Sequence, residues 1–382
     1  DLNESPLLRA LDVPPGYKHA TSVEDGKDAL AELSQWVGRF DKPRYFTYQA
    51  SICSHGRNNT IGCNKCIDVC STQAITSILA GGKGRVEVNP NLCMGCGACS
   101  TACPSGAMRY NYPSADYQSR ALRTLVSTAT DAGLKEPEIL LHSTDDSVGG
   151  TALINRLGQL AAGGRAKGLP ARVMPFALHH AASVGPELWL AALAYGASRV
   201  TVLLSGEEAS TYRDALNEQV TWVRGVIEAL GGEPDRVSII QAHSPEALDG
   251  ALQSAVARLP LVTTRATFSV GSDKRHALEA AIEHLLEHTR ADAQRMPAAL
   301  PVALPAGAPL GGLTINKDAC TLCMSCVGAC PQSALKDGGD QPLLSLLERD
   351  CVQCGLCVST CPENALALAP RLSSVAQRRT EQ

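Results

Sequence analysis

"CSHGRNNTIGCNKCIDVC", residues 53–70, and "CMGCGACSTACP", residues 93–104, together decide the fold. The second stretch sets Cys93, Cys96, Cys99 and Cys103 at the spacing C-x2-C-x2-C-x3-C-P. The first holds Cys63, Cys66 and Cys70 in the same register, but Thr60 stands where one more cysteine is due. The nearest substitute is Cys53, seven residues further back. Downstream, "CTLCMSCVGACP" repeats the regular spacing with Cys320, Cys323, Cys326 and Cys330, and "CVQCGLCVSTCP" with Cys351, Cys354, Cys357 and Cys361. All 16 cysteines of the chain fall in these runs, so counting Cys53 closes the total at four groups of four thiols. Left out, Cys53 would be a free thiol and one site would lack a ligand.

Structural zinc calls for looser, paired C-x2-C spacings, and disulfides call for scattered cysteines in an oxidising compartment. Three close cysteines followed by C-P fit neither. The spacing is that of two-cluster bacterial ferredoxins, in which the fourth cysteine of each run ligates the other cluster of the pair. This resemblance covers about a third of the chain and implies four 4Fe–4S clusters. With the crossover, Cys53, Cys63, Cys66 and Cys103 hold one, and Cys93, Cys96, Cys99 and Cys70 its partner. In the second pair, Cys320, Cys323, Cys326 and Cys361 hold one, and Cys351, Cys354, Cys357 and Cys330 the other. His55 is the alternative to Cys53 as the displaced ligand.

A net charge of −4 and a pI near 6.2 argue against nucleic acid as a partner. No apolar run reaches the ~18–20 residues that span a bilayer. The opening "DLNESPLLRALDVPPG" has no basic region followed by an apolar stretch, although it also lacks a starting Met. A cytoplasmic location is expected, since thiolates and iron–sulfur clusters favour a reducing compartment.

Residues 1–43 are polar, with one amphipathic stretch, "DGKDALAELSQWVGRF". Ala29, Leu30, Leu33, Trp36, Val37 and Phe40 follow helical spacing, which predicts a helix packed on a neighbouring domain. Residues 44–112 form a first ferredoxin module, with strand, Gly turn (Gly81, Gly82, Gly84) and strand between its two runs. Residues 115–290 lack cysteine, and their short apolar segments "EILLHST", "ARVMPFAL", "SRVTVLLSG" and "DRVSIIQA" alternate with helical patterns. Such alternation predicts a parallel sheet covered on both faces, a flavodoxin-like α/β domain. Residues 291–312, rich in Ala, Pro and Gly, read as a semi-rigid linker. Residues 313–370 repeat the first module, and 371–382 read as a polar tail. The fold class is thus two α+β ferredoxin-like modules flanking an α/β domain.

Within the middle domain, "MP" at 174–175, "GASRVTVLLSG", Tyr212 and "LGGEPDRV" resemble the delta subunit of methyl-viologen-reducing hydrogenases. In that family, cysteines at the strand ends carry a 2Fe–2S cluster. The corresponding positions here are Phe176, Ser205 and Ser210, so the resemblance implies the fold and its redox company without a fifth cluster. The whole chain also resembles multi-cluster iron–sulfur proteins associated with formate dehydrogenases.

"LLHSTDDSVGGTALINRL" is where a flavodoxin-type fold would hold a flavin phosphate at a helix N-terminus. Asp145 and Asp146 oppose an anion there and read more readily as an N-cap. His179 and His180, at a strand end, read as ordinary loop histidines. No Walker loop, nucleophile elbow or G-x-G-x-x-G run is present. Two functions follow: a non-catalytic relay of single electrons between a dehydrogenase or hydrogenase and an acceptor, or an oxidoreductase subunit with a flavin in the middle domain. A protein partner or a second copy of the chain is expected on the α/β domain. Residues 44–112 carry a net +4 and residues 313–370 a net −3. Cations raise a cluster's reduction potential and anions lower it, so electrons are expected to enter the second module and leave through the first.

Overall fold

The computed structural model describes every residue except 4, 9–16, 39–41, 58–59, 82, 145–148, 272, 291–298 and 381–382, and the side chains of 57, 60 and 83. Phe40, Gly82, Asp145, Asp146, the first part of the expected linker and the last two residues of the expected tail therefore lie outside the described residues.

The middle region is built on four parallel strands, Glu138–Ser143, Val173–Leu178, Arg199–Leu204 and Val237–Gln241. From one edge they run in the chain order 2-1-3-4. Alternation sorts their side chains between two cores. Ile139, Leu141, Val200 and Val202 join the larger one, while Leu140 and Leu203 face the smaller. Helices Gly150–Ala162 and Pro245–Ser254 cover the smaller side. Helix Pro186–Ala194 lies in the larger core with all nine residues buried, as befits a helix apolar on every side. Helices Ala115–Asp131, Ser210–Ala229 and Lys274–His288 wrap it.

In each cysteine-bearing region a short antiparallel pair frames the runs, and a hairpin lies between them. The first frame is Phe46–Tyr48 against Met108–Tyr110, with hairpin Ile75–Ala80/Lys83–Val88. The second is Gly311–Ile315 against Leu366–Leu372, with hairpin Leu335–Gly338/Gln341–Leu346.

Three expectations at the margins are corrected. The amphipathic helix forms over Val23–Ser34, capped by Ser22, which accepts from the Asp25 N–H, but it buries none of its residues. Leu30 is 70% exposed, while Ala29 and Leu33 are only half-buried. The described part of the linker is built in. Val302–Ala303 pairs with Arg371 and Leu372, and Leu304 and Leu310 enter the larger core. The polar tail is a docked element, with Ser374 capping helix Val375–Arg379. Arg378 on that helix is fully buried and paired with Glu279 of helix Lys274–His288.

Candidate metal centres

Each cysteine run is a tight loop feeding a helix of four or five residues: Lys65–Asp68, Ala98–Ala102, Ser325–Ala329 and Leu356–Thr360. In the three regular runs the residues just before and just after the second cysteine turn left-handed. These are Gly95 and Gly97, Leu322 and Met324, and Gln353 and Gly355. Leu322, Met324 and Gln353 hold φ near +55° despite their side chains, a backbone that disfavours L-residues. A further left-handed residue follows the last cysteine of all four runs: Gln73, Gly106, Ser333 and Asn364. The stretched run lacks the first two of these turns, and Asn64 has φ −113°. In their place the insert folds as a hairpin, Gly56–Arg57 against Thr60–Ile61, which extends the sheet of Lys83–Val88. Gly84 is needed for this, since a Cβ on it would stand 2.7 Å from the Cα of Gly56.

The fold brings the thiols together in groups. Cys103 lies within electrostatic reach of Cys53, Cys63 and Cys66. Cys99 has Cys96, Cys93 and Cys70 for neighbours. Cys320, Cys323, Cys326 and Cys361 line one small cavity, and Cys330, Cys351, Cys354 and Cys357 another. Burial, reinforced by the neighbouring thiols, pushes Cys357 up to about 12. Burial likewise pushes Cys63 to about 12. A bound metal inverts this logic, because its charge deprotonates the thiols that hold it. Among the described residues no three His, Cys, Asp or Glu side chains converge as ligands of a single ion. Donors stand ready for thiolate sulfur. The Ala74 N–H reaches Cys70 Sγ at 3.3 Å, the Ala365 N–H reaches Cys361 Sγ at 3.4 Å, and Gln353 Nε2 reaches Cys351 Sγ at 3.2 Å. Thiol-only groups in small cavities with amide donors around them fit an iron–sulfur cluster.

His55 is spoken for. Its Nδ1 lies 3.0 Å from the Cys63 carbonyl and its Nε2 2.7 Å from Ser77 Oγ, and the ring is buried. The backbone of His55 donates towards Cys53, which lowers that thiol against the upward push of burial.

The insert also joins the two modules, a role that nothing in its composition announces. Ser54 is buried beside Cys354, and Cys354 is within electrostatic reach of Cys53 and Cys63. Gly62 packs on Leu356, and Gln332 Nε2 donates to the Ile52 carbonyl at 2.9 Å. Ser54 and His55 are both buried.

At the carboxyl edge of the parallel sheet, the first module is the occupant. Thr211 Oγ1 donates to the Val69 carbonyl, a Cβ on Gly97 would strike Ser183, and buried Tyr212 lies within electrostatic reach of Cys96. Tyr45, beside Gly95, stacks on His179 at 5.6 Å, and His180 meets Tyr212 edge-on at 5.4 Å. Glu208 accepts from the Ser205 and Gly206 N–H groups at 3.0 and 2.9 Å, so a carboxylate already takes loop amides of the kind that bind phosphate. Helix Gly150–Ala162 starts from left-handed Gly149 rather than from an aspartate cap.

Two segments match family models, residues 61–107 and 319–366. Both are 4Fe-4S dicluster domains. The chain is a multi-cluster iron–sulfur protein. The first match begins at Ile61, beyond Cys53. A stretch of 90 residues is 40% identical to "Protein NrfC" of Escherichia coli strain K12, and equally to the proteins of that name from Escherichia coli O157:H7 and Shigella flexneri. The alignment covers 23% of this chain and 36% of each relative, so the chain spans about a third of the length of the curated relatives it matches. Among the described residues no helix is long and apolar enough to cross a membrane.

Proposed function

We propose that this protein is a non-catalytic electron carrier that relays single electrons between a redox enzyme of formate dehydrogenase or hydrogenase type and an acceptor. Four 4Fe–4S clusters, when bound, supply reversible one-electron storage. The residues that hold them are the four groups assigned by the crossover rule, with Cys53 as the displaced member of the first. The observation that carries the reading is the joint at Ser54, Gly62 and Leu356, which sets Cys354 of the second module against Cys53 and Cys63 of the first. Cys66 in turn neighbours Cys99. The thiol groups therefore follow one another in a line: the Cys320 group, the Cys354 group, the Cys53 group and the Cys93 group. Amide donors face the sulfurs of Cys70, Cys351 and Cys361.

The strand order 2-1-3-4 supports a flavodoxin-like reading of the middle domain. Its carboxyl edge is filled by the first module, and the Glu208 carboxylate takes two loop amides there, which leaves the flavin-bearing alternative without support. Charge supports the direction from the second module to the first.

Iron analysis and potentiometric EPR test the reading. The intact chain should carry about 16 Fe, and Cys53→Ser should drop this to about 12 or give a 3Fe signal. Iron near 12 in the unaltered protein, unchanged by Cys53→Ser, would remove Cys53 from the ligand set.

A further inference from the structure

The two ends of the thiol line meet solvent differently. Of the 16 cysteines, Cys323 alone is exposed. At the other end, the loop bearing Cys93 and Cys96 is overlaid by Tyr45, which stacks on His179 and meets Tyr112 edge-on. Electrons cross to a partner only over short gaps, so an end whose thiol reaches the surface is where a partner has to sit.

What surrounds Cys323 is specific. Leu322, 37% exposed, stands next to it on a left-handed backbone. Exposed Glu363 lines the same cavity as Cys320, Cys323, Cys361 and Leu344. Asp337 pairs across the hairpin with Leu344, and directly opposed residues share a face, so Asp337 is on the Cys323 side. Lys336, paired with Ser345, falls on the opposite face. Exposed Asp318 precedes Cys320 by two residues, with Lys317 beside it as the opposing charge. The result is an apolar and sulfur centre rimmed by Asp318, Asp337 and Glu363.

We infer that this face, resting on the relay reading above, is the docking surface for a one-electron redox protein whose own contact face is basic around an apolar centre. Complementary charge steers such encounters and fixes their orientation, while the apolar centre closes the gap. The exchange is one electron from donor to acceptor, with no bond made or broken.

Mitochondrial cytochrome c, a basic one-electron protein, is the probe. Calorimetric titration of the cluster-loaded chain at low ionic strength should show a complex that weakens as salt is added. Asp318→Lys with Glu363→Lys should weaken it by about tenfold or more. Glu24→Lys with Glu246→Lys, equal in net charge change and outside the second module, should leave it within about twofold. Iron content of both variants, measured alongside, reports that the clusters are intact. Equal weakening in the two double variants, or no complex with the unaltered chain, overturns the proposal. Stopped-flow oxidation of the reduced chain by ferric cytochrome c separates the two readings. Rates that fall only in the Asp318/Glu363 variant uphold the surface. Equal rates in both variants reject the surface and leave the relay standing. A salt-sensitive complex across which no electron passes rejects the relay instead.

Discussion

Gly62 is the place to strain the joint between the modules. A Cβ added there would stand 2.6 Å from the carbonyl oxygen of Ser54, 3.1 Å from Leu356 Cδ1 and 3.3 Å from Leu356 Cβ. Leu356 can shift its tip, but the Ser54 oxygen is backbone, held by the Cys63 N–H at 2.9 Å, and cannot step aside alone. Gly62→Ala therefore has to lift the hairpin off the second module or break that bond and its neighbour, Gly62 N–H to the His55 carbonyl at 2.8 Å. Overpacking of this kind costs about 1–3 kcal/mol, and loss of a hydrogen bond adds about 1 kcal/mol. At about 2 °C per kcal/mol for a large chain, the melting temperature should fall by about 4–8 °C. Gly328→Ala is the control, since it lies within helix Ser325–Ala329 with nothing inside 4 Å, and a helical Ala should stabilise by about 0.5–1 kcal/mol. Circular dichroism melts of both variants, with EPR of the fully reduced chains, provide the measurement. Magnetic coupling between clusters should diminish in Gly62→Ala alone. If Gly62→Ala melts with the unaltered protein, the modules do not touch as described.

Replacing Arg378 by Met leaves buried Glu279 with Arg275 as its remaining cation, and should cost about 3 kcal/mol in denaturant titration; a loss below 1 kcal/mol contradicts a docked C-terminal helix. Met324→Gly frees a left-handed residue at φ +58° and should stabilise the chain by about 1 kcal/mol in thermal melts, where a loss counts against backbone strain in the loop. Burial pushes the Glu233 and Asp235 carboxyls up, but a backbone N–H with Arg236 and Arg258 at Glu233, and Arg258 with Arg199 at Asp235, outweigh it and hold both below their usual values. Their stabilisation is present above the ordinary carboxylate range and is lost as pH falls through it and below. Arg258→Met should flatten that acid limb while lowering stability near neutrality, and an unchanged acid limb would show that the network carries no such linkage.

What could be read from the chain was local. Cysteine spacing reports one turn of backbone, so the four runs and their hairpins were legible. The four parallel strands and most of the helices between them followed from apolar periodicity. Helix Ala115–Asp131 was not among the expected elements. Contacts distant in sequence left no such trace. Nothing in "SHGRNNTIG" states that Ser54 meets Cys354 some 300 residues on, because the pairing exists only once both modules have folded. The last residues look polar because Arg378 is charged, yet a buried partner, Glu279, makes that charge an anchor. Amphipathicity misled in the opposite sense, since the Val23–Ser34 helix has an apolar side and yet buries none of its residues fully.

The closeness of Gly62 to Leu356 has a kinetic meaning. Two free ferredoxins exchange electrons by collision, at a rate that falls with the product of their concentrations. Fastened face to face in one polypeptide, the modules see each other at an effective concentration of about millimolar or above, whatever the dilution of the protein. Exchange between redox centres in the two halves then becomes a first-order property of a single molecule. A cell holding few copies would lose none of that speed, and only the encounters at the outer ends would still depend on abundance.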